Sequence, residues 1–272
     1  MNATSAQLPE KLYKYEPFSI NALTNLKKQS VYFGPPSGFN DPYDCAITPT
    51  IVAPKDSSIE KIREKYLATA ELPTNIREQF THVSPKHLRE VLTNSARDVL
   101  NRSISDFVTT KGVTCFSETN RDLLMWSHYG GRYKGFCLEF STSAELFSLA
   151  KKVRYVTTPP SIDIEKLLPD IQLDIVQELF CTKSLPWQHE QEWRCFHRQA
   201  GTSFTYPADS LSGVYFGPDI DIESKEIVCL ILQGQNEHVR FWNGTRSATN
   251  FRVEFQEFTY TSFLDAKAKG LR

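Results

Sequence analysis

From Gly112 to Tyr260 the chain returns repeatedly to short apolar runs: "GVTCFS" (112–117), "KGFCLEF" (134–140), "EWRCFHR" (192–198), "LSGVYFG" (211–217), "EIVCLIL" (226–232) and "NFRVEFQEFTY" (250–260). Each has the length and the β-branched or aromatic content of a strand. Several are separated by too little chain for a helical crossover. Such strands pair antiparallel or in a mixed sheet, because a parallel neighbour needs a connection of a dozen or more residues. The 18 Phe and 11 Tyr against 2 Met agree with an aromatic, strand-rich core.

Earlier in the chain, "KLYKY" (11–15) reads as a strand. "FSINALTNLKKQ" (18–29) reads as a helix capped by Ser19, and "SVYFG" (30–34) as a second strand. Residues 57–70 and 84–101 have the spacing of amphipathic helices, the second with Ser84-Pro85 at its start. "DLLMWSHYG" (122–130) and "AELFSLA" (144–150) read as short helices, "KVRYV" (152–156) as a strand, and 163–184 as a helix kinked near Pro169. The expectation is therefore an α+β fold with mixed or antiparallel sheets. It is a single domain over 1–272, carrying a charged helical insertion at about 55–108.

Charges nearly cancel, 31 Lys+Arg against 32 Asp+Glu, which argues against a strongly electrostatic nucleic-acid binder and leaves room only for a local basic groove. The six cysteines form no C-x-x-C pair and read as reduced, buried residues. The first residues hold no apolar signal core, and no apolar run reaches the ~18 residues of a membrane span. A cytoplasmic protein without a membrane segment is expected.

"WQHEQEWRCFH" (187–197) looks at first like a zinc-protease helix. That helix needs His at i and i+4, but Trp193 stands four residues after His189. His197 is eight residues on, or about 26 Å along a strand at ~3.3 Å per residue. No metal is expected. Read as a strand, the segment puts Glu190 and Glu192 on one face with Arg194 beside them. It is then either an acid pair, whose mutual repulsion needs a compensating cation or ligand, or an edge with an Arg–Glu pair. In "CFSETNRDLLMWSHYGGRYKGFCLEF" (115–140), a strand ends at Ser117 and a helix carries Trp126 and Tyr129. Those rings suit either core packing or the stacking of a flat ligand. In "YFGPPSGFNDPYD" (32–44), Asn40 and Asp41 form either a bracing turn or a ligand loop. There is no G-x-S-x-G elbow, P-loop or G-x-G-x-x-G fingerprint.

Together "LYKY", "YFGPPSGFNDPYD", "CFSETNRDLLMWSHYGGRYKGFCLEF" and "WQHEQEWR" resemble, in that order, the bacterial family catalogued as domain of unknown function 2971. More distantly, the order of elements resembles the ADP-ribosyltransferase fold, with its split sheets around an NAD cleft. That resemblance implies a first-strand residue (Tyr13 or Tyr15) and a middle-strand Ser117 that seat NAD, and a late-strand catalytic Glu192 with Glu190 two positions before it. Trp126 or Tyr129 would be the stacking partner. Asn40, Asp41 and Arg194 complete the candidate binding set. The first strand departs from that pattern: it has no His or Arg, and Lys14 between the tyrosines should face the other way. The implied function is an NAD-dependent ADP-ribosyltransferase-like enzyme, a bacterial toxin or anti-phage defence effector. NAD would be its substrate and the acceptor a protein, nucleic acid or small molecule, with an operon partner as one option. The alternatives are a module that senses a nucleotide or phage component without catalysis, and a metal-dependent hydrolase or nuclease.

Overall fold

A computed structural model describes residues 7–68, 73–167 and 178–270. In chain order the strands are β1 (Lys11–Glu16), β2 (Ser30–Phe33), β3 (Thr50–Val52), β4 (Gly112–Ser117), β5 (Phe136–Ser141), β6 (Lys151–Lys152), β7 (Arg154–Val156), β8 (Ser161–Asp163), β9 (Thr182–Ser184), β10 (Glu192–His197), β11 (Thr202–Thr205), β12 (Leu211–Phe216), β13 (Arg240–Arg246) and β14 (Val253–Phe258). The helices are α1 (Ile20–Lys27), α2 (Asp56–Leu67), α3 (Thr74–His82), α4 (Pro85–Thr110), α5 (Leu123–His128), α6 (Glu145–Ser148), α7 (Ile164–Leu167), α8 (Ile222–Gln233) and α9 (Phe263–Ala268). The fold is α+β. No described helix is long and apolar enough to cross a membrane.

The chain divides into two compact units, one built from residues up to 35, 111–153 and 186 onward, the other from 36–110 and 154–185. The second unit contains the charged helical stretch expected at about 55–108 and takes in 154–185 as well. Ile59, Leu88 and Leu92 form one of its apolar clusters and Leu100, Ile162 and Leu179 another. Two short parallel pairs, β3–β8 and β7–β9, belong to it. The expected strand at 152–156 is thus two strands, β6 in the first unit and β7 in the second. The kink expected at Pro169 lies outside the described residues.

The first unit is organised by an eight-stranded mixed sheet, in the order β14-β13-β12-β5-β1-β4-β10-β6. Alternation with period two separates its faces. One face carries Leu12, Phe116, Phe136, Leu138, Phe140, Trp193, Val214 and Phe216, packed with Leu26 of α1, Phe147 of α6 and Val228 of α8. The other carries Tyr13, Tyr15, Cys137, Tyr215, Trp242 and Phe255, under Met125 and Trp126 of α5. All six cysteines are free and five are buried.

Residues 226–232 are a correction: they lie in helix α8, not in a strand. Asp221 caps it, its Oδ1 accepting from the Ser224 backbone N at 2.6 Å, and the buried Ser224, Val228, Cys229 and Leu232 follow helical spacing. A short apolar run has no period of its own to betray this. The helix is the crossover that lets β12 and β13 pair in parallel.

The sheet is nearly divided in its middle. β1 pairs with β5 over six residues and β4 with β10 over six, yet β1 and β4 meet at the single pair Tyr13↔Ser117 among the described residues. Beyond it the inner edge of β4 finds other partners. Lys14 Nζ donates to the Cys115 carbonyl at 3.4 Å, and Gly34 and Val113 exchange two backbone bonds of 3.1 and 2.8 Å. Lys14 lies over the Phe116 ring, on the face opposite the tyrosines, as its place between them requires.

Phe140 is fully buried, stacked on Phe147 at 4.6 Å and edge-on to Phe116 and Tyr206. Phe140→Ala is expected to destabilise the first unit by about 3–5 kcal/mol, read as a lower urea midpoint by tryptophan fluorescence. A loss under about 1 kcal/mol would mean that this ring is not central to the core.

Candidate functional site

The site is built on the tyrosine face of the sheet. Opposed residues on neighbouring strands form one row: Arg240, Gly213, Glu139, Tyr13, Ser117 and Glu192, on β13, β12, β5, β1, β4 and β10. With strands about 4.8 Å apart, Tyr13 and Glu192 are separated by about 10 Å and Glu139 and Glu192 by about 14 Å. Tyr13, Ser117 and Glu192 therefore come together at the one pair that joins the two halves of the sheet.

Glu192 is buried and held by Arg194 in a two-pronged pair, Arg194 Nε to Oε1 at 2.7 Å and Nη2 to Oε2 at 2.8 Å. The Arg194 side chain is 0% exposed. Such a two-pronged pair fixes both rotamers.

Glu190 lies outside the strand in which it was expected. It is the last residue of a 3-10 turn (Leu185–Glu190), Gln191 takes a left-handed φ of 45°, and the strand begins at Glu192. The two residues therefore do not alternate along one strand. Glu190 accepts from Tyr129 OH at 2.6 Å through its side chain and from Ser117 Oγ at 2.6 Å through its backbone carbonyl. The Gln191 carbonyl in turn accepts from the Glu118 backbone N at 3.1 Å, tying the turn to the end of β4.

Tyr15 is buried next to Tyr13's end of the row, its hydroxyl donating to the Thr119 carbonyl at 2.9 Å. Burial pushes that phenol far above its ordinary value. Trp126 is fully enclosed, edge-on to Tyr15 at 5.1 Å with its Nε1 donating to the Asn120 carbonyl at 2.7 Å, so its ring serves the core. Tyr129 is half-buried. Asn40 and Asp41 belong to the second unit and are not in the row. Asp41 closes a local turn there, its Oδ1 accepting from the Tyr43 backbone N at 2.9 Å, while nearby Asp44 pairs with buried Lys183 at 3.0 Å.

Sequence reasoning missed Glu139. It lies in the otherwise apolar strand "FCLEFS" and is 1% exposed. Its Oε1 accepts from Lys11 Nζ at 2.7 Å and Ser212 Oγ at 2.7 Å, its Oε2 from Tyr215 OH at 2.6 Å and Tyr13 OH at 3.2 Å. The available signal was a lone carboxylate inside a buried strand, which must find donors in space. Beside it Trp242 stacks on Tyr215 at 4.4 Å and covers Gly213, where any Cβ would collide with the indole. Burial raises the Glu139 carboxyl, but the bonds from Lys11, Tyr215 and Ser212 and the charge of Lys11 outweigh it and hold the group below its ordinary value. The same burial and the neighbouring carboxylate drive Tyr215 and Tyr13 upward.

Residues 125–195 match the model of the family described as "Protein of unknown function (DUF2971)". Over those residues the chain is similar to that family. The DUF2971 match contains Trp126, Tyr129, Glu139, Glu190, Glu192 and Arg194, and leaves Tyr13, Asn40, Asp41 and Ser117 outside it. No curated protein and no solved structure matches the chain.

Because the folded carboxyl of Glu139 lies below its unfolded value, the stability it adds is present above the unfolded pKa near 4.3 and is lost as pH falls through the folded value. Glu139→Gln is expected to cost about 1–3 kcal/mol at neutral pH. The gap to wild type should close below about pH 4, as measured by urea unfolding across a pH series. A gap independent of pH would contradict the ionised, donor-saturated carboxylate.

Proposed function

We propose that the chain is an NAD-using, ADP-ribosyltransferase-like protein with a split-sheet core. The single observation behind it is the register Tyr13↔Ser117↔Glu192 at the point where the two half-sheets join. Tyr13 and Ser117 would seat the nicotinamide end of NAD, and Glu192 would lie against its ribose. As the C–N bond to nicotinamide breaks, nicotinamide leaves with the bonding pair and positive charge builds on the ribose. A fixed carboxylate favours that charge more than the neutral ground state. The acceptor nucleophile then bonds to the ribose carbon, and Glu190 takes the proton it loses. Arg194 fixes the Glu192 rotamer, and Tyr129 fixes that of Glu190.

A second reading rests on a different observation. Both Glu192 oxygens and the Ser117 hydroxyl are engaged by protein groups. That arrangement suits a module that binds a nucleotide or phage component and does no chemistry.

Nicotinamide release from NAD, together with thermal midpoints in NAD and ADP-ribose, separates the two. The transferase reading expects release that Glu192→Gln lowers by about 10²–10³-fold. That variant also alters the buried pair with Arg194, so Ser117→Ala and Tyr13→Phe, expected to raise KM for NAD, are measured beside it. A midpoint raised by nucleotide without any release identifies the binding module. Neither release nor a shift with NAD removes the NAD reading altogether.

A further inference from the structure

The β13–β14 hairpin carries a feature that the site above does not use. Its turn, 247–252, reads "SATNFR", and Phe251 is 99% exposed. A phenylalanine in that position contributes no burial to the fold. The turn is nevertheless well built. Ser247 Oγ accepts from the backbone N of Thr249 at 3.3 Å and of Asn250 at 3.2 Å, and the Ser247 N donates to the Arg252 carbonyl at 3.0 Å. The hairpin therefore presents the ring outward on an ordered support.

Cations gather around it, several of them on aromatic rings. Arg246 lies 4.9 Å from the Tyr133 ring and Arg121 lies 5.8 Å from the Phe255 ring. Arg121 is joined to the hairpin by the Val253 N donating to its carbonyl at 2.9 Å. Arg252 follows Phe251 directly. Arg132 and Lys134 flank Tyr133, whose carbonyl accepts from the Asp219 N at 3.1 Å, and Asp219 pairs with Arg246. Arg121, Arg132, Lys134, Arg246 and Arg252 make five positive charges. Asp122, Asp219, Asp221 and Glu254 make four negative ones, so the patch carries a surplus of one within a chain whose net charge is -1. Asp122 is spent capping α5, and Glu254 pairs with Arg252 at 3.1 Å.

We propose that this hairpin and the adjoining Tyr133 loop bind single-stranded nucleic acid. An exposed ring stacks on any base, and guanidinium groups spaced around it contact phosphates. A membrane is the poorer fit, because the turn offers one large apolar residue among Ser247, Ala248, Thr249 and Asn250, whereas interfacial anchoring needs a broad apolar face. The surface is independent of the NAD reading and stands or falls separately.

Fluorescence anisotropy of the full chain with labelled oligo-dT and oligo-rU, between about 50 and 200 mM salt, tests this. Wild type is expected to bind with a clear salt slope. Phe251→Ala should weaken binding about 5- to 100-fold, and Phe251→Tyr should restore it. Arg246→Gln and Arg252→Gln should each reduce the salt slope by about 0.7. Thermal midpoints of these exposed-site variants should match wild type. The proposal is overturned by absence of binding at low salt, by binding indifferent to Phe251→Ala and both arginine variants, or by Phe251-dependent binding to anionic phosphatidylserine vesicles with no oligonucleotide binding.

Discussion

The inner edge of β4 is the constraint around which the first unit is arranged. A central strand normally satisfies its backbone groups with one continuous neighbour. Here three unlike partners share that edge: β1 at Ser117, the Lys14 ammonium at Cys115, and Gly34 at Val113. The sheet remains one hydrogen-bonded object, while among the described residues β1 and β4 share a single register pair. Ser117 is thereby fixed from both sides, by Tyr13 and by Glu192, and its hydroxyl is free of the ladder and turns to the Glu190 carbonyl. Candidate chemistry collects where the sheet is weakest in regular pairing and strongest in side-chain bonding.

Two buried carboxylates on that face are stabilised in different ways. Glu192 is gripped from two sides by the fully enclosed guanidinium two residues along its own strand. Glu139 relies on four donors from two strands, β1 and β12, one of them the Lys11 ammonium, whose side chain is 43% exposed. The first arrangement is local in sequence and the second is wholly tertiary. Because Tyr13 donates to Glu139 and also faces Ser117, it links the two centres: its ring belongs to the aromatic cluster, its hydroxyl to one carboxylate, and its backbone to the strand pair beside the other.

Much of the fold could be read from local pattern. "KLYKY", "GVTCFS" and "EWRCFHR" became β1, β4 and β10, and Ser19 and Ser84 accept the capping bonds expected of them, from Ala22 N and His87 N. These elements have either strict alternation or a cap with a specific chemistry. Segments with neither were misread or missed. After Glu226, "IVCLIL" is apolar at every position, so its helical state is decided by the Asp221 cap and by the space between two parallel strands. "RFWNGTR" contains Asn and Gly and became strand β13 through pairing on both sides. α3 has only Ile76 and Phe80 as large apolar residues, too few to show a helical period, and was not expected.

By itself the sequence determined the α+β class, the family match, and the placement of Tyr13, Ser117 and Glu192 on strands. Period-two alternation and capping act within a few residues and need no knowledge of the rest of the chain. Tertiary structure alone decided that those three strands are neighbours in register. It also decided that Gln191 turns Glu190 off the strand toward Tyr129, and that four donors converge on Glu139. Strand order and donor convergence depend on residues 73 to 128 positions apart, and no local pattern encodes partners at that distance.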